Sequence, residues 1–157
     1  MTWRGSTTVP ERIFACLPYL LPLIDGLQFG QFLFRQFPVL GLFFVPIVPV
    51  LKIYQTVPFA GLIIFFGLYL GVVRNENINH FIRFNAMQAI LIDIILILCS
   101  LILGIFAGGQ VSFVIQTLFN MVFLGLLSAF VYAVVQSLLG RYAEIPPLSD
   151  AVYMQVR

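Results

Sequence analysis

Two aspartates, Asp25 and Asp93, interrupt long apolar runs of this 157-residue chain, and that setting limits the chemistry open to them. Even mild insertion scales give a cost of about 2.5 to 3.5 kcal/mol for an aspartate at the centre of a spanning helix, so both side chains are expected to face protein. At about 1.5 Å per residue, Asp25 lies about 18 Å beyond Ile13 and Asp93 about 14 Å beyond Phe84, near mid-depth in both cases. No Lys or Arg is expected at that level. Each carboxyl is then either protonated or reached by water and neighbouring amides. Amides are available on the last long apolar run, where Gln116, Asn120, Ser128, Tyr132 and Gln136 follow a four-residue row with Leu124 as its apolar member. Such a row slants across a helix as a packing ridge. Three readings stay open. The acids and the row form interhelical hydrogen bonds that fix register, or Asp25, Asp93, Gln116 and Asn120 line a polar groove for a polypeptide or small solute, or the acids move protons.

No catalytic constellation accompanies them. His80 is the only histidine, beside Asn79 and Phe81 in a loop, and neither a G-x-S-x-G turn, a phosphate-cradling glycine loop nor a metal-ligand cluster occurs. Cys16 and Cys99 fall at different depths, without the spacing of a metal or redox site, and read as small apolar residues rather than a disulfide. No enzyme activity, cofactor or metal is expected.

The elements that must position these residues are membrane helices. The chain is 61% hydrophobic and 9% charged, with a formal net charge of +2 and a mean hydropathy of +1.06. This excludes a disordered chain, a disulfide-stapled secreted domain and a nucleic-acid binder with a basic stripe. At about 20 apolar residues per crossing, spans are expected at 13–34, 57–73, 84–107 and 113–139. The stretch 37–54 is apolar but broken by Pro38, Pro46 and Pro49, with Lys52 near its end, and is expected to be a kinked or re-entrant interfacial segment. Four crossings would put Arg4, Arg12, Arg74, Arg83, Arg141 and Arg157 on one side and only Arg35 and Lys52 on the other. By the positive-inside rule both termini are then cytoplasmic or stromal. The fold expected is all-α, a single integral membrane bundle of four transmembrane helices with one proline-broken interfacial segment. The polar start, Met1 to Glu11, lacks the features of a cleavable signal or transit peptide.

Helices in lipid associate through small residues and polar contacts. Gly26 with Gly30, Gly67 with Gly71, and Gly125 with Ala129 and Ala133 supply such faces. Ala86, Ala89, Asp93, Ser100, Gly104 and Ala107 form a fourth seam. A compact bundle or a homo-oligomer follows. After Pro146 and Pro147, Ser149 is expected to cap a short helix over 149–157. Its side bearing Leu148, Val152, Gln155 and Val156 either folds back on the bundle or docks another subunit.

Between the second and third runs the chain reads LYLGVVRNENINHFIRFNAMQAILIDIIL, from Leu68 to Leu96. Here Asn79 can cap a helix, Phe81 and Phe84 can sit at headgroup level, Arg83 can reach the surface, and Asn85 and Gln88 enter the membrane on neighbouring turns. This block, with Arg83, Phe84, Asn85 and Gln88 as its motif positions, resembles the signature of the Tic-twenty family. That family is the small polytopic subunit of the chloroplast inner-envelope protein translocon, with cyanobacterial relatives. LPYLLPLIDGLQFGQFLFRQFP (Leu17 to Pro38), YQTVPFAGLIIFFGLYLGVVRN (Tyr54 to Asn75) and YAEIPPLSDAVYMQVR (Tyr142 to Arg157) are similar to that family's in kind and order. The resemblance implies four membrane helices and a part in a complex that forms or borders a protein-conducting channel. The implied partners are the lipid bilayer, other membrane subunits and a translocating polypeptide, and not nucleic acid. Low Lys and Asn content and the missing transit peptide favour a cyanobacterial member, for which the ancestral task is not fixed by the match. The rival readings are a structural or assembly subunit that conducts nothing, and a small-solute or proton-coupled transporter.

Overall fold

The computed structural model describes residues 7–156, so Arg4 and Arg157, both used in the charge count, lie outside the described residues. The described residues form helices and connections with no strand, and the integral-membrane, all-α architecture holds. Four helices are long and apolar enough to cross a membrane: α1 (Val9–Gln36), α2 (Pro38–Thr56), α4 (His80–Ala107) and α5 (Phe113–Leu138). A shorter apolar helix, α3 (Ala60–Val73), lies between α2 and α4, and α6 (Leu148–Gln155) closes the chain.

Each helix begins or bends for a local reason. Thr8 and Glu11 form a capping box at the start of α1, with Pro10 in its first turn. Pro18 falls in a 3-10 stretch over Leu17–Tyr19, and Gly26 and Gly30 bracket another over Leu27–Gly30. Proline lacks the amide donor that an α turn needs, and glycine tolerates the tighter winding. Asn79 caps α4 as expected, its side chain accepting from the Phe81 N–H at 2.8 Å, and Gly108 ends the helix in the left-handed region at φ 52°. Ser112 caps α5. Ser149 does not cap α6: Pro147 holds that position, and Ser149 is buried inside the first turn.

The stretch 37–54 differs from the expectation in its continuity. Residues Pro38–Ile47 wind as a 3-10 helix and Val48–Thr56 continue as an α-helix, because Pro46 and Pro49 remove donors without ending the run. None of its residues is buried. By contrast the region expected at 57–73 is a helix of Ala60–Val73, about 21 Å long at 1.5 Å per residue and too short to cross alone. The two meet at Phe59, which takes the left-handed conformation at φ 57°. The Tyr54 hydroxyl reaches Asp25, just past the middle of α1, whereas Val73 meets Arg83 in the first turn of α4. Together α2 and α3 therefore run the length of the bundle as one interrupted path.

Packing is concentrated at one end. The first half of α4 is buried nearly all round, from Phe81 to Ile90, while beyond Leu96 it turns mostly outward. Phe81 and Phe84, expected at headgroup level, are fully buried because the C-terminal segment folds over them. Tyr142 stacks edge-on against both, with ring centroids 5.2 and 5.0 Å away, and Tyr153 lies 5.1 Å from Phe84. Val152 and Val156 fill the same cluster with Val73, Met87 and Ile90, so the apolar side of α6 is folded back on its own bundle. Arg83 is correspondingly only 7% exposed and does not extend to the surface as expected.

The glycine faces divide sharply. A Cβ on Gly26 would collide with the Leu126 side chain, and one on Gly30 would lie 2.8 Å from the Phe123 and Phe34 rings, so these two allow α1 to approach α5. Gly67, Gly71, Gly104 and Gly125 have nothing within 4 Å of such a Cβ among the described residues, so no neighbouring element approaches them closely there. Spacing alone could not separate them, because each sits on an equally regular small-residue row. Gly26→Ala and Gly30→Ala are each expected to lower unfolding free energy in bicelles by about 1 to 3 kcal/mol through overpacking. Gly67→Ala, Gly71→Ala and Gly104→Ala should stay within about 0.5 kcal/mol of the parent.

Candidate functional site

Asp25 and Asp93 come together. Residues 20–26 of α1 pack closely along α4, and Asp25 and Asp93 border the same space between them. The Tyr54 hydroxyl, delivered by the last turn of α2, donates to Asp25 Oδ1. Gly61 at the start of α3 makes room for this, since a Cβ there would strike the Tyr54 hydroxyl. Asp93 is 2% exposed, and its Oδ1 has no hydrogen-bond partner among the described residues.

These groups border a cavity of about 290 Å³. Its polar wall is Asp25, Gln28, Tyr54, Asp93 and Ser100, and Gly61, Leu62, Phe65, Leu96, Ile97 and Leu101 complete it, with no Lys or Arg among the described residues that line it. The cavity therefore presents acceptors and neutral polar groups against an apolar background. Among the described residues no group of three or more His, Cys, Asp and Glu could hold a metal ion.

Gln116 and Asn120 do not join this site. The buried positions of α5 are Ile115, Phe123, Leu126, Ala133 and Ser137, and Gln116 and Asn120 lie about 100° round the helix from that line, with the rest of the polar row further round. Gln116 is exposed, and Asn120 is half-buried with its Oδ1 lacking a partner among the described residues. Ser128 and Thr117 satisfy themselves by donating to the carbonyls four residues earlier. The four-residue spacing was correct as a row but did not say which way the row faces.

The motif positions Asn85 and Gln88 build a second polar centre. Both are fully buried. Tyr19, on α1, donates its hydroxyl to Asn85 Oδ1 at 2.7 Å and accepts from Gln88 Nε2 at 2.9 Å. Ser137, on α5, donates to the same Asn85 oxygen at 3.0 Å. Asn85 Nδ2 donates to the Phe81 carbonyl, and Gln88 Nε2 also donates to the Ala143 carbonyl, each at 2.8 Å. One network thus ties α1, α4, α5 and the connection to α6. Arg83 donates from Nε to the Val73 carbonyl at 2.9 Å, closing the π turn that ends α3.

Sequence reasoning missed Tyr54, Gly61, Tyr19 and Ser137. Tyr54 was assigned to an interfacial segment, although a tyrosine with a polar tip at the end of an apolar run is a signal that a partner waits at depth. Tyr19 carried the same signal within LPYLLP. Gly61 had none, because its role depends on where Tyr54 arrives.

Comparison with known proteins adds the lineage. Residues 6–152 match the family described as "Chloroplast import apparatus Tic20-like". A "Tic20 family protein" of Synechocystis sp. is 53% identical over 162 residues, covering 100% of this chain and 99% of that protein. "Protein TIC 20-II, chloroplastic" of Arabidopsis thaliana is 44% identical, with 99% of this chain and 78% of that protein aligned. "Tic20 family protein Ycf60" of Porphyra purpurea is 35% identical over 99% of this chain and 80% of its own length.

The buried network makes a direct prediction. Tyr19→Phe removes the donor to Asn85 and the acceptor for Gln88, so unfolding free energy in bicelles should fall by about 1 to 2 kcal/mol. Gln116→Ala, on the outward row, should leave the isolated chain's stability within about 0.5 kcal/mol.

Proposed function

Because the chain belongs to the Tic20 family, as a member of its cyanobacterial kind, we propose that it is a membrane component of a protein translocation complex and that the Asp25–Asp93–Tyr54 cavity forms part of the path. The observation that carries this reading is the cavity itself: two carboxyls, a phenol and an amide meet halfway along an apolar bundle, beside an interrupted helix. A polypeptide passing through hydrocarbon brings backbone N–H groups that cost several kcal/mol each if left without acceptors. Asp93 Oδ1, unpartnered among the described residues, and the carboxyl, amide and hydroxyl oxygens around it are acceptors placed at that depth. Discontinuous helices are where membrane proteins place such groups, because irregular backbone survives there only against protein or a cavity.

Topology is part of the proposal. With α2 and α3 counted as one interrupted crossing, the chain crosses four times and both termini lie on the cytoplasmic or stromal face. The grouping of Arg12, Arg74, Arg83 and Arg141 at that end supports it.

The outward row of α5 favours an accompanying role as an assembly surface. Gln116 is exposed on that face, Asn120 is half-buried with its amide oxygen unpartnered among the described residues, and amides beside lipid find partners on other helices. Other membrane subunits, or further copies of this chain, are the partners proposed for that face. Purification in mild detergent should give a stable larger assembly, and Gln116→Leu with Asn120→Leu should weaken it.

For the transport role, Asp25→Leu and Asp93→Leu should each abolish polypeptide transport or ion conductance by the reconstituted complex while helix content is retained. Unaltered activity in both variants, with normal assembly, would remove the cavity from the path. A stable complex that never conducts would reduce the role to assembly.

A further inference from the structure

Helix α2 turns one side outward along its whole length, and its winding decides which residues stand there. Side chains three apart eclipse one another in a 3-10 helix, so over Pro38–Ile47 the half-buried positions recur as Gly41, Phe44 and Ile47, and the α-helical part continues them as Leu51 and Tyr54. This inner line holds the helix to the bundle. Phe44 stacks against Phe34 and Phe123, with ring centroids 5.3 and 6.2 Å away, and Tyr54 reaches Asp25. By the same rule Val39, Leu42, Val45, Val48, Lys52 and Gln55 make one outward ridge, every member of it exposed. The ridge is apolar for four positions and then charged.

Lys52 stands two residues, about 200°, from Tyr54, so its side chain leaves α2 away from the bundle, close to the depth at which Tyr54 meets Asp25. No hydrogen bond or ion pair engages its ammonium among the described residues. A charge facing acyl chains near mid-depth costs about 2.5 to 3.5 kcal/mol on the mildest scales, and such groups persist where they find an opposite charge. At about 2 Å per residue of 3-10 helix and 1.5 Å of α-helix, Lys52 lies about 26 Å along α2 from Pro38, too far for its stem to snorkel to that end. This chain does not supply the partner either. Of its six carboxylates, Asp25 and Asp93 border the inner cavity. Glu11 joins Asn79 at the start of α4, Glu76 lies in the loop before it, Glu144 accepts from Tyr153, and Asp150 belongs to α6, all at the packed end. A second copy inserted the same way up therefore brings no carboxylate to Lys52.

We propose that the outward ridge of α2 is the docking face for a transmembrane helix of a different membrane subunit, one that places an aspartate or glutamate against Lys52. Val39, Leu42, Val45 and Val48 pack along that helix, and Gln55, one turn past Lys52, donates its amide to the same carboxylate. Charge complementarity fixes the register of the two helices, because a shift of one turn would strand both charges in hydrocarbon. The face is separate from the outward row of α5 and from the acid pair, so it stands or falls apart from the transport role.

The test places a photoreactive side chain on the ridge, as Leu42→p-benzoylphenylalanine in the full chain in its native membrane. Irradiation joins position 42 to whatever lies against it, and mass spectrometry of the joined peptide identifies the neighbour. The expected product is a transmembrane segment of another polypeptide with an Asp or Glu inside its apolar run. In the same background Lys52→Gln should cut the joined fraction at least about threefold, and Lys52→Arg should keep it. Both positions face outward, so the bundle's own contacts stay intact, and unchanged circular dichroism of the purified variants verifies the fold. Joining to lipid alone, to a second copy of this chain or to a segment without a carboxyl group would overturn the proposal. An undiminished yield in folded Lys52→Gln would overturn it as well.

Discussion

Hydrocarbon offers no partner to a polar group, and the contact that answers this at mid-depth is the one between Tyr54 and Asp25, with Asp93 beside it on the same cavity. It explains an otherwise uneconomical feature of the chain. A proline-rich apolar segment is wound first as a 3-10 and then as an α-helix, ended at Thr56 and broken through a left-handed Phe59, and the result is to bring one phenol to one carboxyl. Gly61 is required there for the same reason, since any larger residue would occupy the Tyr54 hydroxyl's place. The interruption between α2 and α3 and the polar cavity are thus one feature.

The polar residues divide into two kinds of work. Tyr19, Asn85, Gln88 and Ser137 hydrogen-bond to one another in a buried network that fixes three helices and the C-terminal connection, and nearly every donor there has its acceptor. Such a network specifies a unique arrangement because every alternative strands a group in an apolar core. The acid pair differs in having a cavity at its side; each centre keeps one buried oxygen without a partner among the described residues, Gln88 Oε1 in the first and Asp93 Oδ1 in the second. Structure holds the first centre closed and leaves the second available. The motif by which the chain resembles its family maps mainly onto the closed centre, so it marks the fold more than the path.

Much of this was legible in the residues themselves. The cost of an aspartate in lipid is enough to turn Asp25 and Asp93 inward near mid-depth, though their neighbour is Tyr54 rather than the amides Gln116 and Asn120, and Asn79 is recognisable as a cap because its side chain can serve the first turn of α4. What was not legible depended on direction. Gly26 and Gly67 sit in equally good small-residue rows, but only the first faces a neighbouring helix, and the Gln116–Asn120 row points outward although its spacing is regular. Pro46 and Pro49 signalled disruption, yet a 3-10 run tolerates missing donors that an α-helix would not. Phe81, Phe84 and Arg83 had the composition of an interface, and only the return of α6 buries them. Periodicity assigns faces, and tertiary contact decides which face is inside.

The central claim is that Tyr54 and Asp25 form an energetically coupled pair at mid-depth. A double-mutant cycle of Tyr54→Phe and Asp25→Asn, read as unfolding free energy in bicelles, measures that coupling with the rest of the bundle intact. The account predicts a coupling of about 0.5 to 2 kcal/mol. Strict additivity of the two substitutions would contradict it, because the phenol and the carboxyl would then have no contact for the broken helix to make.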